Sequence, residues 1–264
     1  MNPSYKTDLS MIPVIMQGSQ PCCAEAAITA MVEYYFYLKT GVYTPLSFRF
    51  LAAITASKDG VAYAQSGTSP MVAFSILVET GICTAATYPN DISLTDAEFI
   101  DLSQIPEAAY AEAANYKIPG FEMLTDLSWE SINAAIAKYQ LVMTSIYLDK
   151  DWYLSSVPNS NPLPLPPPTG NTDPSLSRHA TVSFGYDPNY RYVRNSFGTT
   201  FGQNGDGYYT PNYQPWIIAA GYIPDMATVQ ATAILDKVEK DVPDPQAQTV
   251  LQEVVETVEK ALEG

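Results

Sequence analysis

The apolar positions of this chain recur at helical spacing through its first half and gather into glycine-bounded runs through its second. Ala26, Ala30, Val32, Tyr34 and Leu38 predict a helix that begins at Pro21–Cys23, runs to Lys39 and is closed by Gly41. A second helix is predicted over 70–80, after SGTSP and before Gly81. Ser128 reads as the N-cap of a third, reaching about Tyr139 with Glu130 in its first turn. From 141 the pattern changes, and LVMTSIYL (141–148) reads as a buried strand. Beginning at His179, HATVSFGYDPNYRYVRNSFGTTFGQNGDGYY is aromatic-rich and punctuated by glycine, and predicts hairpin strands at 180–187 and 190–195. That hairpin would set His179 and Asn195 side by side.

Two segments depart from this pattern. SSVPNSNPLPLPPPTGNTDPSLS (155–177) holds seven prolines and predicts a polyproline-like surface loop, or a flap beside a site, since it leads directly into His179. At the end of the chain, ATAILDKVEK (231–240) and TVLQEVVETVEKALEG (249–264) predict two short helices separated at VPDP. Val250, Val254, Val255, Val258 and Leu262 form one apolar stripe there. Such a tail either packs on its own domain or serves as an oligomerisation or docking helix.

Composition narrows the function. With 264 residues, 47% of them hydrophobic, the chain can bury a substantial core. No apolar run reaches the roughly 18 residues that would span a bilayer. Thirteen basic and 28 acidic residues give a formal charge of −15, which argues against nucleic-acid binding and against anionic membrane surfaces. MNPSYKTDLS lacks the basic flank and apolar stretch of a secretory signal. Three cysteines, Cys22, Cys23 and Cys83, form neither a disulfide framework nor a zinc-site spacing. A reducing intracellular compartment or a virion is therefore expected, with no metal and no cofactor.

The remaining chemistry is a thiol and a base. A nucleophilic cysteine needs its pKa lowered, by a helix N-terminus or a nearby imidazolium. Cys23 stands at the head of the first predicted helix, and His179 is the only histidine in the chain.

QGSQPCCAEA at this point resembles the Q-G-x-C-G-S-C-W-A-F run of the papain-like cysteine peptidases. The resemblance puts Gln17 at the family's oxyanion-hole glutamine and Cys23, rather than Cys22, at its nucleophile; Glu33 and Thr40–Gly41 keep the following helix in register. LS at 46–47 and GTSPMVAFSILVETGICTAATYP at 67–89 are similar to the family's L-S-E-Q and G-G-x-P…Y-P segments. HATVSFGY followed by VRNSFGTTFGQNGDGYY resembles its H-A-V…V-G-Y…K-N-S-W-G-x-x-W-G-x-x-G-Y run. The likeness covers roughly 11–222 and is weak between 90 and 178.

The resemblance implies an α+β, papain-like two-lobed fold over 1–225. A helical N-terminal lobe would span about 15–125 and an antiparallel β-rich C-terminal lobe about 126–225, with an acidic helical tail over 226–264. It implies a cysteine endopeptidase that cleaves a peptide or protein substrate through a thioester, resembling bacterial or viral members without a propeptide. Cys23 would attack as thiolate and His179 would pair with it and protonate the leaving amine. Asn195 would orient the imidazole, and Gln17 with the Cys23 N–H would hold the oxyanion. Gly67, Thr68 and Pro70 would meet the substrate backbone, Arg178 would flank the histidine, and Phe197 would shield the His179–Asn195 bond where the family has Trp. Ala24 replaces a Trp, Glu25 a small residue and Thr68 a glycine. Those departures motivate two alternatives: a weak or inactive papain-fold binding protein, or a transpeptidase or deamidase. Arg178 beside His179 is expected to disfavour the imidazolium and lower the histidine pKa.

Overall fold

The computed structural model describes residues 4–60, 62–148 and 177–241. The body of the proline-rich segment and the second tail helix expected at 249–264 lie outside them. Six helices precede the main run of strands: α1 (Cys23–Thr40), α2 (Phe48–Asp59), α3 (Tyr63–Ser66), α4 (Pro70–Glu79), α5 (Asp96–Phe99) and α6 (Glu107–Ala113). α1 ends at Gly41 in the left-handed region (φ 70), where the chain turns without a Cβ to obstruct it. α7 (Trp129–Tyr139) starts at Ser128, whose side chain accepts from the Ser131 N–H at 3.1 Å.

The strands are β1 (Tyr5–Lys6), β2 (Glu122–Met123), β3 (Val142–Leu148), β4 (Ser177–Tyr186), β5 (Arg191–Arg194), β6 (Asp206–Tyr209) and β7 (Ile217–Tyr222). They form one antiparallel sheet in the order β2-β7-β3-β4-β5-β6, with β1 on β4. The two short strands from the first half, β1 and β2, carry no periodicity that the sequence could reveal. The expected hairpin is present, but with a bulge between Ser183 and Gly185. The bulge changes which face follows which: Ala180, Val182 and Phe184 join the core against α1, whereas Tyr186, two positions further, joins the core against α7. The α7 face of the sheet also carries a buried hydroxyl chain, in which Thr144 meets Thr181 at 3.2 Å and Ser183 at 3.0 Å, and Thr181 meets Tyr209 at 2.8 Å.

α1 is buried from Ala24 to Tyr35, on all sides rather than on one stripe. It packs against α2, α4, β3 and β4, and from the far side against α8 (Met226–Asp241). Met226 and Ala227 are buried, and the Tyr35 hydroxyl donates to Asp225 at 2.7 Å. The helix that begins at the candidate nucleophile is thus the central element of the molecule.

Candidate active site

Cys22 is the N-cap of α1 and Cys23 its first helical residue. Cys22 is fully buried, and burial pushes its thiol well up; Cys23 is partly exposed. The first-turn N–H groups lack intrahelical acceptors, so the helix presents a positive end and an available donor beside the Cys23 sulfur.

His179 lies near the start of β4. Continuing the register Val182↔Arg194 outward pairs His179 with Phe197, and there the two rings stack, centroids 4.8 Å apart at 20°. Asn195 directly follows β5, and its N–H donates to the Gly205 carbonyl at 2.9 Å. The Asn195 side chain then reaches back, and its Oδ1 lies 2.9 Å from His179 Nε2. Oδ1 also accepts from the Ser196 N–H at 2.7 Å, which identifies it as the oxygen. His179 Nε2 must therefore carry the hydrogen, and Nδ1 keeps the lone pair of a base.

Ser196 also fixes Gln17. Its hydroxyl donates to Gln17 Oε1 at 2.5 Å, its carbonyl accepts from the Gln17 N–H at 2.8 Å, and Gln17 Nε2 donates to the Gln20 carbonyl at 2.8 Å. Three consecutive residues thus hold two partners: Asn195 and Phe197 the edge and face of the His179 imidazole, and Ser196 the Gln17 side chain. The sequence reading passed over Ser196, although it sits inside the recognised NSFG run.

A cavity of about 430 Å³ runs between the helices and the sheet, lined in part by Cys23, Gly67, Thr68, Pro70, Arg178 and His179. Gln17, Asn195 and Phe197 stand outside its lining, behind the histidine and the loop before α1. A larger cavity of about 560 Å³ lies elsewhere, by Lys6 and Arg194. Its cations are engaged: Arg194 pairs with Asp206 at 2.8 Å and donates to the Leu9 and Ile12 carbonyls, while Lys6 lies 4.7 Å from the Tyr192 ring centre. The smaller cavity alone joins a thiol to an imidazole.

Burial dominates the electrostatics. It raises the Cys23 thiol to about 11; the Ala180 backbone opposes the rise by hydrogen bonding to the sulfur, and Glu25 adds to it. Burial lowers His179 to about 4, against the Asn195 hydrogen bond. Burial thus opposes charging either group by itself, the thiol as thiolate or the imidazole as imidazolium. Passing the proton from sulfur to Nδ1 leaves the net charge of the site unchanged, so burial resists that step less than it resists ionising either group alone. The expected fall in the histidine pKa is present with a different cause. Desolvation produces it, while Arg178 is exposed with its guanidinium 5.9 Å from the Tyr147 ring centre.

A thiol at a helix N-terminus, an imidazole with a fixed tautomer and an asparagine behind it define the class of thiol-dependent acyl-transfer sites. The model of the papain family of cysteine proteases matches residues 5–214, and the chain belongs to that family. Xylellain, a cysteine protease from Xylella fastidiosa, has a similar fold at TM-score 0.70 and 19% identity, with 84% of this chain and 86% of that one covered. Digestive procathepsin L 3 of Tenebrio molitor larval midgut superposes at 0.65 and 21% identity over 83% and 68%. The Carica candamarcensis cysteine protease CMS1MS2 does so at 0.60 and 20% over 80% and 91%. No curated protein sequence matches the chain at a significant level.

Proposed function

We propose that this protein is an active cysteine endopeptidase that cleaves extended peptides through a thioester acyl-enzyme. The observation that carries this reading is the His179 ring, clamped between Asn195 and Phe197 and lining one cleft together with Cys23. Cys23 passes its proton to His179, and the thiolate attacks the scissile carbonyl carbon. The oxyanion is met by the Cys23 N–H and the Gln17 side-chain amide, whose orientation Ser196 and Gln20 support. The imidazolium returns the proton to the departing amine as the C–N bond breaks, and water then hydrolyses the thioester with His179 as base. Gly67, Thr68 and Pro70 receive the substrate backbone along the helical wall, and Arg178 flanks it on the sheet side.

An epoxide-type inhibitor of cysteine peptidases followed by mass spectrometry tests this directly. One adduct is expected, on Cys23, absent in Cys23→Ala and slowed by at least about two orders of magnitude in His179→Ala, the scale of a general base's contribution. A folded wild-type protein that takes up no label at Cys23 rejects the enzyme and leaves a papain-fold binding protein.

A further inference from the structure

One buried acid takes no part in this chemistry. Glu25 stands in the first turn of α1, just past Cys23, with no exposed surface. One carboxyl oxygen accepts from the Thr68 hydroxyl, and the other is buried without a hydrogen-bond partner among the described residues. Burial lifts this carboxyl to about 7, with the Thr68 hydroxyl opposing the rise and Asp59 adding to it. The groups around it are Cys22 and Cys23 at the head of α1, Thr55 and Asp59 of α2, Tyr63 of α3, and Thr68 in the following loop. None of these is a cation.

Thr68 belongs to the cleft rim Gly67–Ser69, and two further contacts hold that rim. The Ser69 N–H donates to Asp59 Oδ2 at 2.7 Å. Gly67, at φ +64, comes so near the loop before α1 that a Cβ there would lie 2.8 Å from the Pro21 carbonyl oxygen. Where the family has a small residue and a glycine, this chain places an acid and a hydroxyl that meet each other.

We propose that Glu25 and Thr68 are positioning residues: their side-chain bond locks the rim Gly67–Ser69 to the first turn of the nucleophile's helix, so that a peptide lying on the rim reaches Cys23 in register. This role rests on the peptidase reading. Ionised Glu25 holds the Thr68 hydroxyl by a charge-assisted bond, stronger than the neutral one. The same negative charge opposes ionisation of Cys23. Tight substrate binding and a reactive thiol therefore draw on opposite states of a single carboxyl.

Steady-state kinetics on a fluorogenic peptide, from pH 5.5 to 8.5, compare wild type with Thr68→Val, Thr68→Ser and Glu25→Gln. Thr68→Val is expected to raise KM about tenfold, the worth of a hydrogen bond to a charged group, with kcat within about twofold. Thr68→Ser restores KM. Wild-type KM falls as pH rises through about 7, and Glu25→Gln, which keeps the acceptor and removes the charge, loses that dependence. An unchanged KM in Thr68→Val overturns the positioning role and leaves the peptidase reading standing. If Thr68→Val does not fold, the KM–pH profile of Glu25→Gln decides, and a profile like wild type overturns the role. A wild type that cleaves no peptide removes the peptidase reading instead. Hydrogen exchange at the Ser69 amide then still tests the lock: faster exchange in Thr68→Val than in Thr68→Ser supports it, and equal rates overturn it.

Discussion

Buried ionisable side chains set how this protein responds to pH. Glu33 in α1 is 3% exposed, yet it accepts from the Leu46 N–H at 2.9 Å and from the Tyr43 hydroxyl at 3.4 Å, and burial raises its carboxyl to about 8. An unfolded chain loses that proton near 4.5, so between 4.5 and 8 the unfolded state binds fewer protons and stability falls as pH rises. Glu25, at about 7, acts in the same sense. His179 acts oppositely: its folded pKa is about 4 against 6.5, so it costs stability only as pH falls below 6.5. Above 6.5 the two carboxyls alone of these three groups contribute. Glu33→Gln keeps an acceptor for Leu46, so its melting temperature should change less between pH 6.5 and 8 than that of wild type, which should decline; thermal melts across that range check it. At this scale the resemblance to the papain family was what grouped Cys23, His179, Asn195 and Gln17 as candidates, and the structure brings His179 to Asn195 and into one cleft with Cys23. Glu25 was visible only as an oddity, because nothing in a sequence distinguishes a buried acid from an exposed one until its hydroxyl partner, 43 positions away, is in place.

Among the elements, α1, α4, α7 and β3 were legible because periodicity and end signals agreed: Gly41 after α1, Pro70 opening α4, Ser128 before α7. The bulge in β4 was not. It falls where β1 meets the sheet: Gly185 leaves room for the backbone of Tyr5 and Lys6, and a Cβ there would lie 2.8 Å from the Tyr5 carbonyl oxygen. That constraint comes from the opposite end of the chain and leaves no local mark. The legible caps can be tested individually. Ser128→Ala removes the acceptor for the Ser131 N–H and should cost about 1 kcal/mol in urea unfolding, with peptidase activity on the folded protein unaltered. A loss below about 0.3 kcal/mol would mean that water satisfies that N–H equally well.

At the scale of the whole molecule, the chain carries a formal charge of −15, while the cleft lining holds one carboxylate side chain, Asp59, and one guanidinium, Arg178, besides His179. Such a field draws cations toward the protein and repels anions over about a Debye length. Cationic peptides should therefore show a kcat/KM that falls several-fold as salt is raised from about 20 to 300 mM, and anionic peptides of the same length should show the reverse. Equal salt dependence for the two charge types would place the control of capture in the cleft rather than in the surrounding field. The fold class and the pairing of the two ends of the site were legible because three motif blocks occur in order. The weak middle of the resemblance gave no account of how α1 becomes enclosed by α2, α4, β3, β4 and α8, since enclosure depends on long-range packing.

The clamp formed by Asn195, Ser196 and Phe197 has a consequence in time. Ser196 and Gln17 are 179 positions apart, and the histidine that serves Cys23 belongs to the same late part of the chain. During synthesis the helical half emerges with its thiol but without a base, an amide clamp or a sheet to close the cleft. Contacts of such sequence separation are slow to form, because a long loop must first be closed. By the proposed mechanism, cutting power requires both halves of the chain, and a copy that still lacks the sheet half cannot attack the chains around it.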